Sequence, residues 1–317
     1  MDKKTLSGSF VALAVAMALA MLLKDGYSAN LMAWMAIAAL IASGLRFVTL
    51  IGELNFAAAA FVGLGAYASG YSLTILELPF AVSLICGGLF AALIGVAFGY
   101  VTLKTKGPYF LLIGFAFTEV IRLIYTRIDV LGGNSGMIGI FPPDFLWERF
   151  TVFAVGLSGV LIMLMYAIEK SYLGKCFIGI RDNDQVVLSV GINVHMTKVL
   201  CLSIGAFVSG IAGGLTAFVN NVISPADFSF LLSTFALAYL KVGGEDHPIG
   251  PIAGAVMLVY LSSVSLSFGG GDHIFYGIAI ILTLLVMPKG LFGLLEHLKT
   301  SRKTSSTVQQ STRESQI

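Results

Sequence analysis

Long apolar runs separated by short polar stretches make up most of the chain. A helix that crosses a bilayer needs about 20 mostly apolar residues. The runs at 6–23, 29–45, 53–73, 79–103, 108–127, 149–168, 199–219, 227–241, 249–267 and 273–288 meet or approach that length. The pattern predicts an all-α fold, a polytopic transmembrane helical bundle of about ten spans. Two of the runs are ambiguous. The run at 53–73 opens on Glu53 and Asn55 and is rich in Ala and Gly, and non-helical backbone is tolerated in a membrane where it lines a protein cavity. The run at 227–241 is short. For both, a full crossing and a broken helix remain alternatives. The run at 6–23 contains a cleavage-like patch, AMALA at 16–20. It is nevertheless longer than the roughly 7–15 apolar residues of a signal-peptide core, so a retained first helix is expected.

The longest polar stretch is 169–198, EKSYLGKCFIGIRDNDQVVLSVGINVHMTK. It carries too many charges to cross a bilayer. Within it Asp182 or Asp184 is expected to cap a short helix through 185–190, and Gly191 to end that helix in a left-handed conformation. Ile180, Val186, Val187, Leu188, Val190 and Ile192 give the helix an apolar face. Such a face suits a groove on a partner, the bilayer surface or the protein's own bundle, and the residues alone do not choose among these.

Composition agrees with the pattern. The chain is 57% hydrophobic and 11% charged, against about 25% charged in soluble domains. A net charge of +2 is too small to argue for nucleic acid. The basic residues matter by position. With the N-terminus inside and ten alternating spans, Lys3, Lys4, Arg46, Lys104, Lys106, Lys170, Lys175, Arg181, Lys198, Lys241, Lys289, Lys299, Arg302, Lys303 and Arg313 fall inside. Lys24, Arg127 and Arg149 fall outside, and Arg122 lies within the fifth run. By the excess of basic residues on cytoplasmic loops, both termini are cytoplasmic (N-in/C-in) and 169–198 is a cytoplasmic segment. The expected organisation is a transmembrane domain over 1–299 and a disordered cytoplasmic tail over 300–317, which has too few apolar residues to fold.

Few residues suggest chemistry. Cys86, Cys176 and Cys201 are scattered without metal or disulfide spacing. There is no GxxxxGK[ST] phosphate loop and no HExxH, so neither ATP binding by this chain nor enzymatic activity is expected, and no cofactor or metal. Small-residue stripes at 63–67, 87–95 and 209–215 read as close helix packing. Ionisable residues within spans are costly and often functional. Glu119 and Arg122 share a helix face at i, i+3, as a self-neutralising pair or a polar lining. Asn220 and Asn221 read as a helix C-cap and turn. Glu53, Asn55, Glu119 and Arg122, with Asn134 and Ser135 of the outer loop, are the candidates for lining a solute pathway.

Five blocks then resemble one family in order. They are GELNFAAAAFVGLGAY at 52–67, GPYFLLIGFAFTEVIRLI at 107–124, LGGNSGMIGI at 131–140, SYLGKCFIGIRDNDQVVLSVGIN at 171–193 and MPKGLFGLL at 287–295. Together they resemble the permease subunits of branched-chain amino-acid (Leu/Ile/Val) ABC importers. The resemblance implies that the polar stretch couples the chain to ATPases, through Gly174, Lys175, Arg181, Asp182, Asp184, Gly191 and Ile192. It implies two cytoplasmic ABC ATPase subunits that bind the ATP, a second permease subunit and a periplasmic or extracellular substrate-binding protein. The expected location is the bacterial inner (plasma) membrane. The chain departs from the family pattern in NFAAAA at 55–60, KVGGEDHPIG at 241–250 and the helix QVVLSV at 185–190. The expected function is therefore the permease of a branched-chain amino-acid importer. Its alternatives are a same-family importer of urea, short amides or another small polar solute, and an ion-coupled secondary transporter.

Overall fold

The computed structural model describes residues 26–266 other than 106 and 148, together with Met17, Gly277, Ile278 and Ile281. The runs at 6–23 and 273–288, the block at 287–295 and the tail at 300–317 lie outside these described residues. So do the two chain ends on which the N-in/C-in expectation rests.

The described residues are almost wholly helical. In chain order the helices are α1 (Gly26–Thr49), α2 (Ala58–Thr74), α3 (Phe80–Thr102), α4 (Pro108–Arg127), the short α5 (Asp144–Trp147), α6 (Phe150–Lys170), α7 (Tyr172–Asp182), α8 (Asp184–Ser189), α9 (Val194–Asn220), α10 (Phe230–Gly243) and α11 (Gly250–Leu266). Each of the eight expected runs between 29 and 267 contains a helix. Among the described residues, five helices, α1, α3, α4, α6 and α9, are long and apolar enough to cross a membrane. The only sheet among the described residues is a two-stranded antiparallel pair, β1 (Met137–Ile138) and β2 (Val222–Ile223), with Met137 opposite Ile223.

Both ambiguous runs are broken at their N-terminal ends. Residues 52–57 are not helical, and α2 begins only at Ala58. A 3-10 turn at Pro225–Phe228 precedes α10, which has 14 residues. By contrast, α9 starts earlier than its apolar run. The polar residues 195–198 form its first turn because the Asn193 side chain accepts a hydrogen bond from the Met196 N–H at 3.0 Å and caps the helix. Its far end closes on Asn221, left-handed at φ 60°.

Helix α9 is the centre of the bundle. The three small-residue stripes meet on it. A Cβ on Gly65 would collide with the backbone of Gly210, and one on Gly213 with the Val62 carbonyl, so α2 lies against α9 backbone to backbone. Gly87 allows α3 the same approach to α2 at Gly65 and Ser69. Apolar tails in lipid give helices little reason to associate, so close van der Waals contact through small residues supplies the attraction.

The long helices α1 and α9 are each followed by a break and then a shorter helix, α2 and α10. α1 runs toward the end of the bundle that carries α7 and α8, and α9 runs away from it. The two long helices cross reciprocally: a Cβ on Gly44 would lie 3.4 Å from the Gly205 carbonyl, and one on Gly205 3.2 Å from the Gly44 carbonyl. α9 packs on α2 and α3 as α1 packs on α10 and α11.

Candidate functional site

The polar stretch folds as two short helices at one end of the bundle. α7 leaves α6 at a tight corner that needs Gly174, since a Cβ there would collide with the Glu169 backbone. Between α7 and α8 the cap is Asn183, whose side chain accepts from the Gln185 N–H at 2.9 Å. The expected Asp182 is the last residue of α7, and Asp184 is the first residue inside α8. Asn183 wins because its extended backbone aims the amide oxygen at the first free N–H groups. Gly191 has φ +81°, as expected for a left-handed stop.

The apolar face of this segment divides. Ile180 and Val187 are buried against the bundle, whereas Val186, Leu188 and Val190 are 60%, 49% and 72% exposed. Six residues cannot hold a helix alone, so the buried pair seats α8 and leaves three apolar side chains facing outward. Lys175 and Arg181 are exposed, with Arg181 3.3 Å from Asp182 and its stem lying over Gly52. Behind α8 is a cleft of about 540 Å³ lined in part by Asp184, Leu188, Gly191, Ile192, His195 and Lys198.

Charges tie this end together. Arg46, at the end of α1, makes a two-pronged ion pair with Glu169 at the end of α6, at 2.7 and 3.0 Å, and its Nε donates to the Glu245 carbonyl at 2.9 Å. Lys241 pairs with the Glu245 carboxylate at 2.7 Å. Lys198, 4% exposed on α9, has its ammonium 3.8 Å from Glu53 and 3.9 Å from Asp184. The other oxygen of Glu53 accepts from the Gly107 N–H at 3.1 Å.

The pathway candidates do not converge on one point. Glu53 is buried at the end that carries α7 and α8. Asn55 is buried too, its Oδ1 accepting from the Ala57 N–H at 3.0 Å in a turn before α2. Glu119 and Arg122 pair at 2.8 Å, about a quarter to a third exposed, some 11 residues or about 17 Å along α4. Glu119 also accepts from the Phe230 N–H at 3.4 Å, at the start of α10. Asn134 and Ser135 are exposed at the opposite end of the bundle, beside the β1–β2 pair.

Four features escaped the sequence reading. Ser233 of α10 donates to the Phe56 carbonyl at 2.8 Å and accepts from the Ala59 N–H at 3.0 Å. Thr118 of α4 donates to the same carbonyl at 3.1 Å. The break before α2 is thus stitched to α4 and α10 by two buried hydroxyls, which satisfy backbone that a helix would have satisfied itself. A serine and a threonine in apolar runs give no individual signal. Lys198 and the Arg46–Glu169 pair were visible only as charges at the ends of runs, which usually mean a solvated interface. Among the described residues, no group of three or more His, Cys, Asp or Glu is placed to hold a metal ion.

A model of the family described as branched-chain amino acid transport system / permease component matches residues 27–287. The chain is 25% identical over 274 residues to the high-affinity branched-chain amino acid transport system permease protein LivM of Escherichia coli, a match covering 77% of this chain and 64% of that protein. It is 25% identical over 281 residues to the ribose import permease protein RbsC of Haemophilus influenzae, covering 80% and 83%. It is 25% identical over 288 residues to the probable branched-chain amino acid transport permease protein LivH of Methanocaldococcus jannaschii, covering 80% and 88%. The match thus spans less than two thirds of the length of LivM. No solved structure matches the chain.

Proposed function

The chain belongs to the branched-chain amino acid transport system / permease component family, and on that premise we propose that it is the membrane permease subunit of an ATP-driven ABC importer for branched-chain amino acids. In this reading it sits in the bacterial inner (plasma) membrane with about ten spans and both termini cytoplasmic. It forms half of the substrate pathway beside a second permease subunit. Two cytoplasmic ABC ATPases bind the ATP, and a periplasmic or extracellular binding protein delivers the solute.

The observation that carries this reading is α8. It is anchored by Val187, and it presents Val186, Leu188 and Val190 outward from the end of the bundle where Arg46, Lys198 and Lys241 gather. A short helix with one seated face and one displayed apolar face suits a groove on another protein. The chain carries no phosphate loop of its own, so an outside source of energy gives that face a use. Gly174, Lys175, Arg181, Asp182, Asp184, Gly191 and Ile192 form the coupling segment. Glu119, Arg122, Asn55, Asn134 and Ser135 belong to the pathway side, with the Glu119–Arg122 pair facing the second permease rather than lipid. A partly exposed charged pair within an apolar run is costly against hydrocarbon.

A second reading keeps the build and changes the cargo. The ribose permease of Haemophilus influenzae has the same 25% identity to the chain as LivM, and this supports a sugar; urea or a short amide rests on the family resemblance alone. Uptake of labelled leucine by cells expressing the whole system distinguishes the two. Unlabelled isoleucine and valine should compete, and ribose and urea should not. Competition by ribose or urea alone would move the assignment to the second reading.

A further inference from the structure

We propose that Lys198 is the positioning residue that joins the coupling segment to the break before α2, and that Glu53 serves this joint rather than the solute. The inference rests on the reading of α7 and α8 as the segment that meets the ATPases.

Lys198 lies in the first turns of α9, the 27-residue helix at the centre of the bundle. Its ammonium is almost equidistant from two carboxylates, 3.8 Å from Glu53 and 3.9 Å from Asp184. These are ion-pair distances, too long for hydrogen bonds. One carboxylate belongs to the first residue of α8, and the other to the non-helical stretch that leads into α2. Lys198 and Glu53 are each about 95% buried, so solvent screens their attraction little. An ammonium held between two carboxylates can shift toward either one, and a two-state element of that kind can carry coupling between distant sites.

The geometry continues inward from Glu53. Its second oxygen holds the Gly107 N–H, one residue before α4 begins. Three residues further on, the Phe56 carbonyl receives hydrogen bonds from Ser233 of α10 and Thr118 of α4. Three extended residues span about 10 Å. A displacement of α8 by a docked partner therefore reaches, through Asp184, Lys198 and Glu53, a stretch of backbone at which α2, α4 and α10 are stitched together. That stretch has no helical hydrogen-bond ladder to resist it.

The test uses the complete importer in liposomes, with labelled leucine as the probe and ATP hydrolysis measured in parallel. Lys198→Met should retain its ATPase subunits on purification and hydrolyse ATP at close to the wild-type basal rate. It should carry at least about tenfold less leucine per ATP. Lys198→Arg should recover most of that ratio. Asp184→Asn should lower the ratio in the same direction, and its combination with Lys198→Met should be no worse than Lys198→Met alone. A wild-type leucine-to-ATP ratio in Lys198→Met, or additive losses in the double variant, overturns the joint. If Lys198→Met does not accumulate, Asp184→Asn carries the test, because its side chain is less buried than that of Lys198; a wild-type ratio there overturns the proposal equally. A wild-type complex that takes up neither leucine nor ribose with ATP would refute the importer reading itself, a different result from either outcome above.

Discussion

The guanidinium of Arg46 grips the carboxylate of Glu169 with two hydrogen bonds, at 2.7 and 3.0 Å, across 123 positions of sequence. The side chains are 6% and 11% exposed. The pair fastens the end of α1 to the end of α6, at the point where α6 hands the chain to α7. Removing one partner of a buried pair leaves an uncompensated charge and costs about 3–5 kcal/mol. Glu169→Ala and Arg46→Ala should therefore each lower the unfolding temperature of the detergent-purified protein sharply. Arg46→Met combined with Glu169→Leu should be milder than either, because no lone charge remains. Equal destabilisation by the double and single variants would show that the pair contributes more than relief of a stranded charge.

Gly65 and Gly210 bring α2 and α9 into backbone contact. Even Gly65→Ala places a Cβ against the Gly210 carbonyl, and neither backbone can yield without moving a helix. The expected cost is at least about 2 kcal/mol, read as loss of monodisperse protein and an earlier melting transition. Gly26→Ala has nothing within 4 Å of its added methyl and is the control, with stability near wild type. Similar behaviour of the two variants would contradict the packing.

Much of this architecture was legible in the chain. Eight runs between 29 and 267 became helices because apolar length is what a bilayer demands of a span. The Ala- and Gly-rich run that opens on Glu53 leaves a full crossing and a broken helix as alternatives, and its helix starts only at Ala58. What the chain concealed was the long-range pairing. Nothing local distinguishes Ser233 from any other serine in an apolar helix, or says that its hydroxyl meets Phe56. Lys198 looked like a flanking charge because the run of apolar residues starts after it. The Asn193 cap, which extends α9 back over the residues at 195–198, was hidden by the polarity of that turn. For the cap of α8, Asn183 sits between two aspartates that are equally good cap formers, so only backbone geometry could choose among them.

The Glu119–Arg122 pair distinguishes a structural from a transport role. Glu119→Gln keeps an acceptor for the Phe230 N–H and removes the charge. If the pair lines the pathway, Glu119→Gln and Arg122→Met should express and melt like wild type and reduce leucine uptake severalfold. Parallel loss of expression and uptake would assign the pair to holding α10 in place.

The displayed face and charged turn of the α7–α8 segment are where the importer reading is most exposed to experiment. The direct measurement is leucine uptake per ATP hydrolysed in proteoliposomes containing the complete complex with Arg181→Ala and Asp182→Ala together. Both side chains are exposed, and the substitutions should leave the bundle intact. ATP hydrolysis should persist while leucine uptake per ATP falls at least about tenfold. A wild-type ratio in that variant would contradict the assignment of this segment as the link to the ATPases.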